Sequence, residues 1–218
     1  MPRQYDLIIF DWDGTLVDST QLIVDSIRSA SVDVGLLPPE PSAARGIIGL
    51  GLPEALRTLF GPLNATVQQQ LTARYRYHYF AQDHEVPLFQ GVDEAIINLA
   101  GQGFMLAVAT GKGRNGLNRS LQRSGLQQHF LATRCVDDCH SKPHPQMLME
   151  IMDELGADPV RTLMIGDTSF DLQMANNAGI ASIAVTYGAQ QLETLLPYGP
   201  VAHFDNFTNL NQWLIMNA

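Results

Sequence analysis

Short apolar runs bounded by turn residues recur along the chain, at Leu7 to Phe10, Phe104 to Ala109, Thr162 to Ile165 and Ile180 to Val185. Runs this short and continuous fit strands buried on both faces. Between them, apolar positions fall at helical spacing, as in Val92, Ala95, Ile96 and Leu99, or Met147, Leu148, Ile151 and Leu155. Strands alternating with helices predict an α/β protein built on a doubly wound parallel sheet. Residues 17–87 break that rhythm. Leu22, Ile23, Ser26, Ile27 and Ala30 have helical spacing, as does Val67 to Phe80, and no strand pattern stands out. Pro38, Pro39 and Pro41 interrupt the first pattern, and Pro53 can open a helix at its first turn. The predicted layout is an α/β core of residues 1–16 and 88–218 with an inserted helical cap, residues 17–87.

Charge narrows the function. Thirteen Lys and Arg against 22 Asp and Glu leave a formal charge of −9. A basic face for nucleic acid or an anionic membrane is not expected, since both need clustered positive charge. A small anionic ligand stays open, because a metal ion or a few cations can hold it. Two cysteines, Cys135 and Cys139, are too few for a disulfide framework. The apolar run at Leu7 is shorter than the roughly 7–15 residues of a signal peptide core, so a soluble, cytoplasmic protein is expected.

The chemistry collects at strand ends. The first predicted strand runs into Asp11-Trp12-Asp13-Gly14-Thr15. On an extended backbone residues i and i+2 face the same way, about 6.6 Å apart, so two carboxylates point into one space. Open α/β sheets bind ligands at that end of their strands. A solvated acidic turn is the plainer account of the same residues. The second strand ends in Thr110, whose hydroxyl and neighbouring N–H groups can hold phosphate oxygens. The third ends in Gly166-Asp167-Thr168-Ser169-Phe170-Asp171. If a helix starts there, Asp167 and Asp171 lie on one side of its first turn, where carboxylates often serve only to cap. Several acids at neighbouring strand ends are costly without a cation, and hard oxygen ligands favour Mg²⁺. Lys142, in Ser141-Lys142-Pro143-His144-Pro145, is a surface charge or a counter-ion for such a site.

These four segments, Asp11-x-Asp13-Gly14-Thr15, Thr110, Lys142-Pro143 and Gly166-Asp167-xxx-Asp171, resemble in order and spacing the four motifs of the haloacid dehalogenase-like superfamily. The resemblance spans essentially the whole chain, and the insert is similar to that family's helical cap. It implies that Asp11 is a nucleophile forming an aspartyl-phosphate, and that Asp13 is the general acid and then the base for water. It implies that Thr110, Gly111 and Lys142 bind the transferring phosphoryl group. It also implies that Mg²⁺ is held by Asp11, the Asp13 backbone carbonyl and Asp167, with Asp171 supporting. Asp13 distinguishes the chain from the dehalogenases themselves. Thr20-Gln21-Leu22-Ile23-Val24 lacks the cap histidine of similar sugar phosphomutases, the alternative within the family. Val17-Asp18-Ser19, Gly46 to Leu52 and Lys142 to Pro145 look like phosphoglycolate phosphatases, which implies a small phosphorylated metabolite as substrate. Gly111 departs from the Asn frequent after the second motif. Arg45 and Arg57 are the cap candidates for reading a second anionic group. Monomer and dimer both remain open.

Two rival sites compete for residues. Gly111-Lys112-Gly113-Arg114-Asn115-Gly116 fits G-x-G-x-x-G after a strand, which raises a dinucleotide-binding oxidoreductase. That match leaves Asp11, Asp13 and Asp167 without a role. Cys135, Cys139, His140 and His144 raise a zinc site, at cramped spacing with Lys142 and two prolines inside it. A non-catalytic phosphate-binding protein on the same fold is a third possibility. Tyr75, Tyr77, Tyr79 and Phe80 are expected to pack a cap helix rather than to stack a ligand.

Overall fold

Leu7–Phe10 form strand β1, and none of its side chains reaches solvent. Ile8 and Phe10 join the apolar layer on one side of the sheet while Leu7 and Ile9 join the other, since side chains alternate across a strand. Such a strand needs neighbours at both edges and helices on both faces. The computed structural model, which describes residues 4–218, supplies them. Residues 1–3, counted in the predicted core, lie outside the described residues. The other strands are β2 (Met105–Thr110), β3 (Ala132–Cys135), β4 (Thr162–Gly166), β5 (Ala181–Val185) and β6 (Ala202–Phe204). All pair in parallel, in the order β3-β2-β1-β4-β5-β6. The α/β sheet expected from the pattern is present. β3 and β6 escaped the pattern because they are short edge strands with Thr133, Arg134 and His203 only partly covered.

The helices are α1 (Thr20–Asp33), α2 (Pro41–Gly46), α3 (Leu52–Phe60), α4 (Ala65–Gln82), α5 (Val92–Gly101), α6 (Arg114–Ser124), α7 (Gln146–Leu155), α8 (Ser169–Ala178), α9 (Leu192–Leu195) and α10 (Phe207–Asn217). Leu99, Leu121 and Leu210 from α5, α6 and α10 cover one face of the sheet. Met147 and Ile151 of α7, with Met174 of α8, cover the other. Trp12, buried just past β1, donates its indole N–H to Ser120 Oγ at 2.8 Å and meets Phe130 edge-on. That anchors the strand end that carries Asp11.

Helices α1 to α4 form a separate layer over the carboxyl ends of the strands. Val24, Ile27, Ala44, Ile48, Ala55 and Tyr79 make one apolar cluster there, and Ala30, Leu56 and Leu71 another. Pro53 opens α3 as the sequence suggested. The chain enters and leaves this layer along one paired ribbon. Asp18 N–H donates to the Pro87 carbonyl and Phe89 N–H to the Leu16 carbonyl, both at 3.0 Å. The turn between α2 and α3 then rests on the core. Gly51 N–H donates to Ser141 Oγ at 2.9 Å, and the carbonyls of Gly49 and Leu50 press on Gly111. A Cβ at Gly111 would overlap the Gly49 carbonyl and lie 2.8 Å from the Leu50 oxygen.

Gly111 has no positive φ, so its own backbone tolerates alanine and only the turn opposes it. Gly111→Ala should leave the sheet intact while lifting the turn at 47–51. Limited trypsin digestion should then cut after Arg45 several-fold faster, with the Tm moved by only a few degrees. Unchanged digestion would mean that the turn does not rest on Gly111.

Candidate active site

β1 and β4 are adjacent, and the order of the strands reverses between them, so their carboxyl ends open a crevice. Asp11 continues the β1 ladder through its N–H to the Ile165 carbonyl at 2.9 Å, and its side chain is buried. Asp167 follows directly after β4. It lies before α8 rather than in its first turn, because Thr168 is the cap residue and Asp171 the third helical position. Asp11, Asp167 and Asp171 bring carboxylate oxygens within 4.8 Å of one another, the only such acidic, histidine or cysteine group among the described residues.

Close packing of backbone makes this convergence possible. Gly14 turns the chain at φ +86°, and a Cβ there would lie 2.8 Å from Asp167 Cγ. A Cβ at Gly188 would collide with the same carboxylate. Asp167 accepts from the Thr15 hydroxyl at 3.1 Å and from Ala189 N–H at 2.7 Å. Asp171 is engaged at both oxygens. One accepts from Lys142 Nζ at 2.6 Å, and the other accepts from Thr168 N–H and hydroxyl at 3.1 and 2.7 Å. Lys142 is buried beside a cis peptide to Pro143, with its Nζ 2.8 Å from Asp11 Oδ1. That contact is an ion pair without hydrogen-bond alignment, so neither oxygen of Asp11 accepts a well-formed hydrogen bond from the described residues.

The electrostatics follow from burial. Desolvation pushes the Asp11 carboxyl up to about 7, against the pull of Lys142. Asp167 is raised well above the ordinary carboxylate range by burial and then by the charges of Asp11 and Asp171. Burial opposes the charge on Lys142, but Asp11 and Asp171 outweigh it and keep the ammonium protonated. With all three carboxylates ionised, one ammonium would leave two uncompensated negative charges, one divalent cation's worth. With the orphaned oxygens of Asp11, the donor set fits such an ion.

Asp13 does not join this cluster. It accepts from Ser19 Oγ at 2.7 Å and forms an ion pair with Lys112 Nζ at 2.9 and 3.0 Å. The same ammonium donates to Tyr79 Oη of α4 at 2.8 Å and lies 4.5 Å from that ring's centroid. The Asp13 side chain therefore adds no oxygen to the acid cluster. Thr110 is buried, and its Oγ accepts from Lys112 N–H at 3.2 Å. Asp11, Asp13, Thr110, Gly111 and Lys112 all line a cavity of about 490 Å³ beneath α1 to α4.

Two sequence expectations change. Arg45 does not line the cavity; its guanidinium is spent on Gln21 Oε1 at 3.1 Å and Thr20 Oγ at 3.5 Å. Arg57 does not line it either and is exposed on α3. The glycine-rich run follows β2, whereas a dinucleotide fingerprint follows the first strand, here occupied by Asp11. Its Lys112 had no other signal than a charge two residues past Thr110. Cys135 and Cys139 are free, and their thiols lie against Asp138 and Glu150. Among the described residues no helix is long and apolar enough to cross a membrane.

Known proteins resemble this chain in sequence and in fold. Residues 8–185 match the family model described as haloacid dehalogenase-like hydrolase. The chain is 37% identical over 213 residues to "Probable phosphatase IndB" of Dickeya dadantii, covering 94% of this chain and 91% of that protein. It is 31% identical over 199 residues to "Pyrophosphatase PpaX" of Halalkalibacterium halodurans, covering 90% and 91%. A crystal structure from Haemophilus somnus, described as a predicted phosphoglycolate phosphatase, superposes with a TM-score of 0.83 at 26% identity, over 97% of this chain and 99% of that one. Since the family match takes in the strand ends that carry the acids and Thr110 as well as the loop that carries Lys142, the chain belongs to the haloacid dehalogenase-like hydrolases.

Proposed function

We propose that the protein is a Mg²⁺-dependent phosphatase that hydrolyses a small phosphomonoester through a phosphoryl group carried on Asp11. The observation that carries this is the buried Asp11, ion-paired with Lys142, beside two further carboxylates. Asp11, Asp167 and the Asp13 backbone carbonyl are the groups that would hold Mg²⁺. Asp171, already bonded to Lys142 and Thr168, steadies them from behind. When bound, Mg²⁺ supplies the positive charge that lets an anionic nucleophile meet an anionic substrate. Residues 17–87 serve as the cap over the core of 1–16 and 88–218.

In this mechanism Asp11 attacks phosphorus and the bond to the leaving alkoxide breaks. Asp13 in its protonated form gives its proton to that oxygen, and as the carboxylate so formed takes one from the water that attacks the phosphoryl group and frees Asp11. Lys142, Thr110 and the Gly111 N–H hold the phosphoryl oxygens as charge develops on them. Lys112 and Ser19 hold the Asp13 carboxylate in place, and Tyr79 links it to the cap.

Asp13→Ala should uncouple the two steps. Nitrophenolate leaves without a proton, so nitrophenyl phosphate should give a burst near one equivalent, then turnover slowed about 10²–10⁴-fold, with phosphate trapped on Asp11. An alkyl phosphate should be slow from the outset, and Asp11→Asn should show neither burst nor turnover. Loss of both substrates alike, with no burst, would remove the acid–base role.

Lys142→Ala should lower kcat about 10²-fold or more, measured by phosphate release, with the far-ultraviolet circular dichroism unchanged. An unaltered kcat would make Lys142 a bystander.

Metal and pH should act together on stability. With Asp11 at about 7 against an ordinary carboxylate value near 4, the folded chain without metal binds protons that the unfolded chain has released. Stability from this group is complete below about pH 4 and is lost as pH rises through about 7. The Tm of chelated protein should therefore fall between about pH 4 and 7. Adding Mg²⁺ at about pH 8 should restore it and switch on activity, and Asp167→Asn should abolish most of both effects. A Tm and rate indifferent to Mg²⁺ and to chelation would contradict the proposal.

A further inference from the structure

The cavity beneath the cap is large for the smallest phosphorylated acids. Its volume of about 490 Å³ lies among pockets that enclose drug-sized ligands, roughly 300–1,000 Å³. Its lining is mixed, and one part of it is apolar: Ile23, Ile27, Ile48 and Leu50, with the rings of Tyr75 and Phe80. Tyr75 stacks on Tyr79 at 5.8 Å, and Phe80 meets Tyr79 edge-on at 5.9 Å, so that wall is a packed aromatic surface.

Charge points the same way. A leaving group bearing a carboxylate or second phosphate needs a cation with donors to spare. Lys112, a half-buried cation lining the cavity, spends its ammonium on both Asp13 oxygens and on Tyr79 Oη. Arg45 and Arg57 lie outside the cavity. At the exposed rim, Glu54 and Asp137 outnumber Arg76. A second anion on the substrate would pass net negative charge at the rim and leave water for a partly apolar space, which desolvation penalises.

We infer that the substrate is a phosphomonoester of a bulky, uncharged, largely apolar alcohol, whose body packs against Ile23, Ile27, Ile48, Tyr75 and Phe80 while its bridging oxygen meets Asp13. This rests on the phosphatase function proposed above and goes further by naming the leaving group. An uncharged apolar body displaces water from the cavity and leaves the Lys112–Asp13 pair undisturbed. A two-carbon acid leaves most of the cavity wet and its own carboxylate unpaired.

The test compares hexyl phosphate with ethyl phosphate and 2-phosphoglycolate, reading phosphate release by the wild-type protein with Mg²⁺. Hexyl and ethyl alkoxides are almost equally basic, so their ratio isolates packing of the chain from leaving-group chemistry. Each buried methylene is worth about fourfold. Hexyl phosphate should therefore exceed ethyl phosphate at least tenfold in kcat/KM and should also exceed 2-phosphoglycolate. Phe80→Ala, which removes part of the wall, should shrink the hexyl-to-ethyl ratio several-fold. The ratio is blind to the fraction of protein that is folded. Ready hydrolysis with a ratio under about tenfold, or with 2-phosphoglycolate ahead, overturns the inference and leaves the phosphatase standing. No phosphate from any of the three, nor from nitrophenyl phosphate, overturns both.

Discussion

Lys142 places one ammonium 2.8 Å from Asp11 and 2.6 Å from Asp171, at the centre of the molecule and out of contact with water. Burying a carboxylate is expensive, and burying three in one space is tolerable only where counter-charge and donors are arranged in advance. Much of the architecture answers that constraint. β1 and β4 lie side by side, so the acids at their ends converge. Gly14 and Gly188 let backbone approach the Asp167 carboxylate, where a side chain would collide. Thr15, Ala189 and the capping interaction of Thr168 supply the donors. Asp11 has the ion pair with Lys142 but no well-aligned hydrogen bond of the kind that holds the other two acids.

A second, weaker constraint joins the cap to the core. The turn between α2 and α3 sits on Gly111 and Ser141, and Tyr79 reaches Lys112, which in turn holds Asp13. Cap position and the orientation of Asp13 therefore share atoms. The ion pair of Asp13 with Lys112 is separate from the acid cluster. Two carboxylates two residues apart thus live in different electrostatic surroundings, which is what a nucleophile and an acid–base group on one strand end require.

Much of the core fold was legible because its strands are continuous apolar runs that only a doubly covered sheet can bury. The edges were not, since β3 and β6 bury little and carry polar residues. Asp11, Asp13, Thr110, Lys142, Asp167 and Asp171 could be singled out because each stands at a strand end or beside a turn. Arg45 marks a limit of reading charge along the chain. A positive charge in the cap is visible in the chain, but its pairing with Gln21 and Thr20 on a neighbouring helix is not.

By itself the sequence determined the α/β periodicity, the helical interruption and the residue types able to hold an anion and a divalent cation. These are local matters of spacing and side-chain chemistry. Tertiary structure alone decided which charges meet. Lys112 and Asp13 are 99 residues apart, Lys142 and Asp171 are 29 apart, and Thr15 and Asp167 are 152 apart. It also decided the character of the cavity, because walls drawn from α1, α4 and the turn at 47–51 exist only once the cap has folded onto the sheet. Spacing along a chain constrains neighbours in sequence, whereas burial, desolvation and charge pairing depend on neighbours in space.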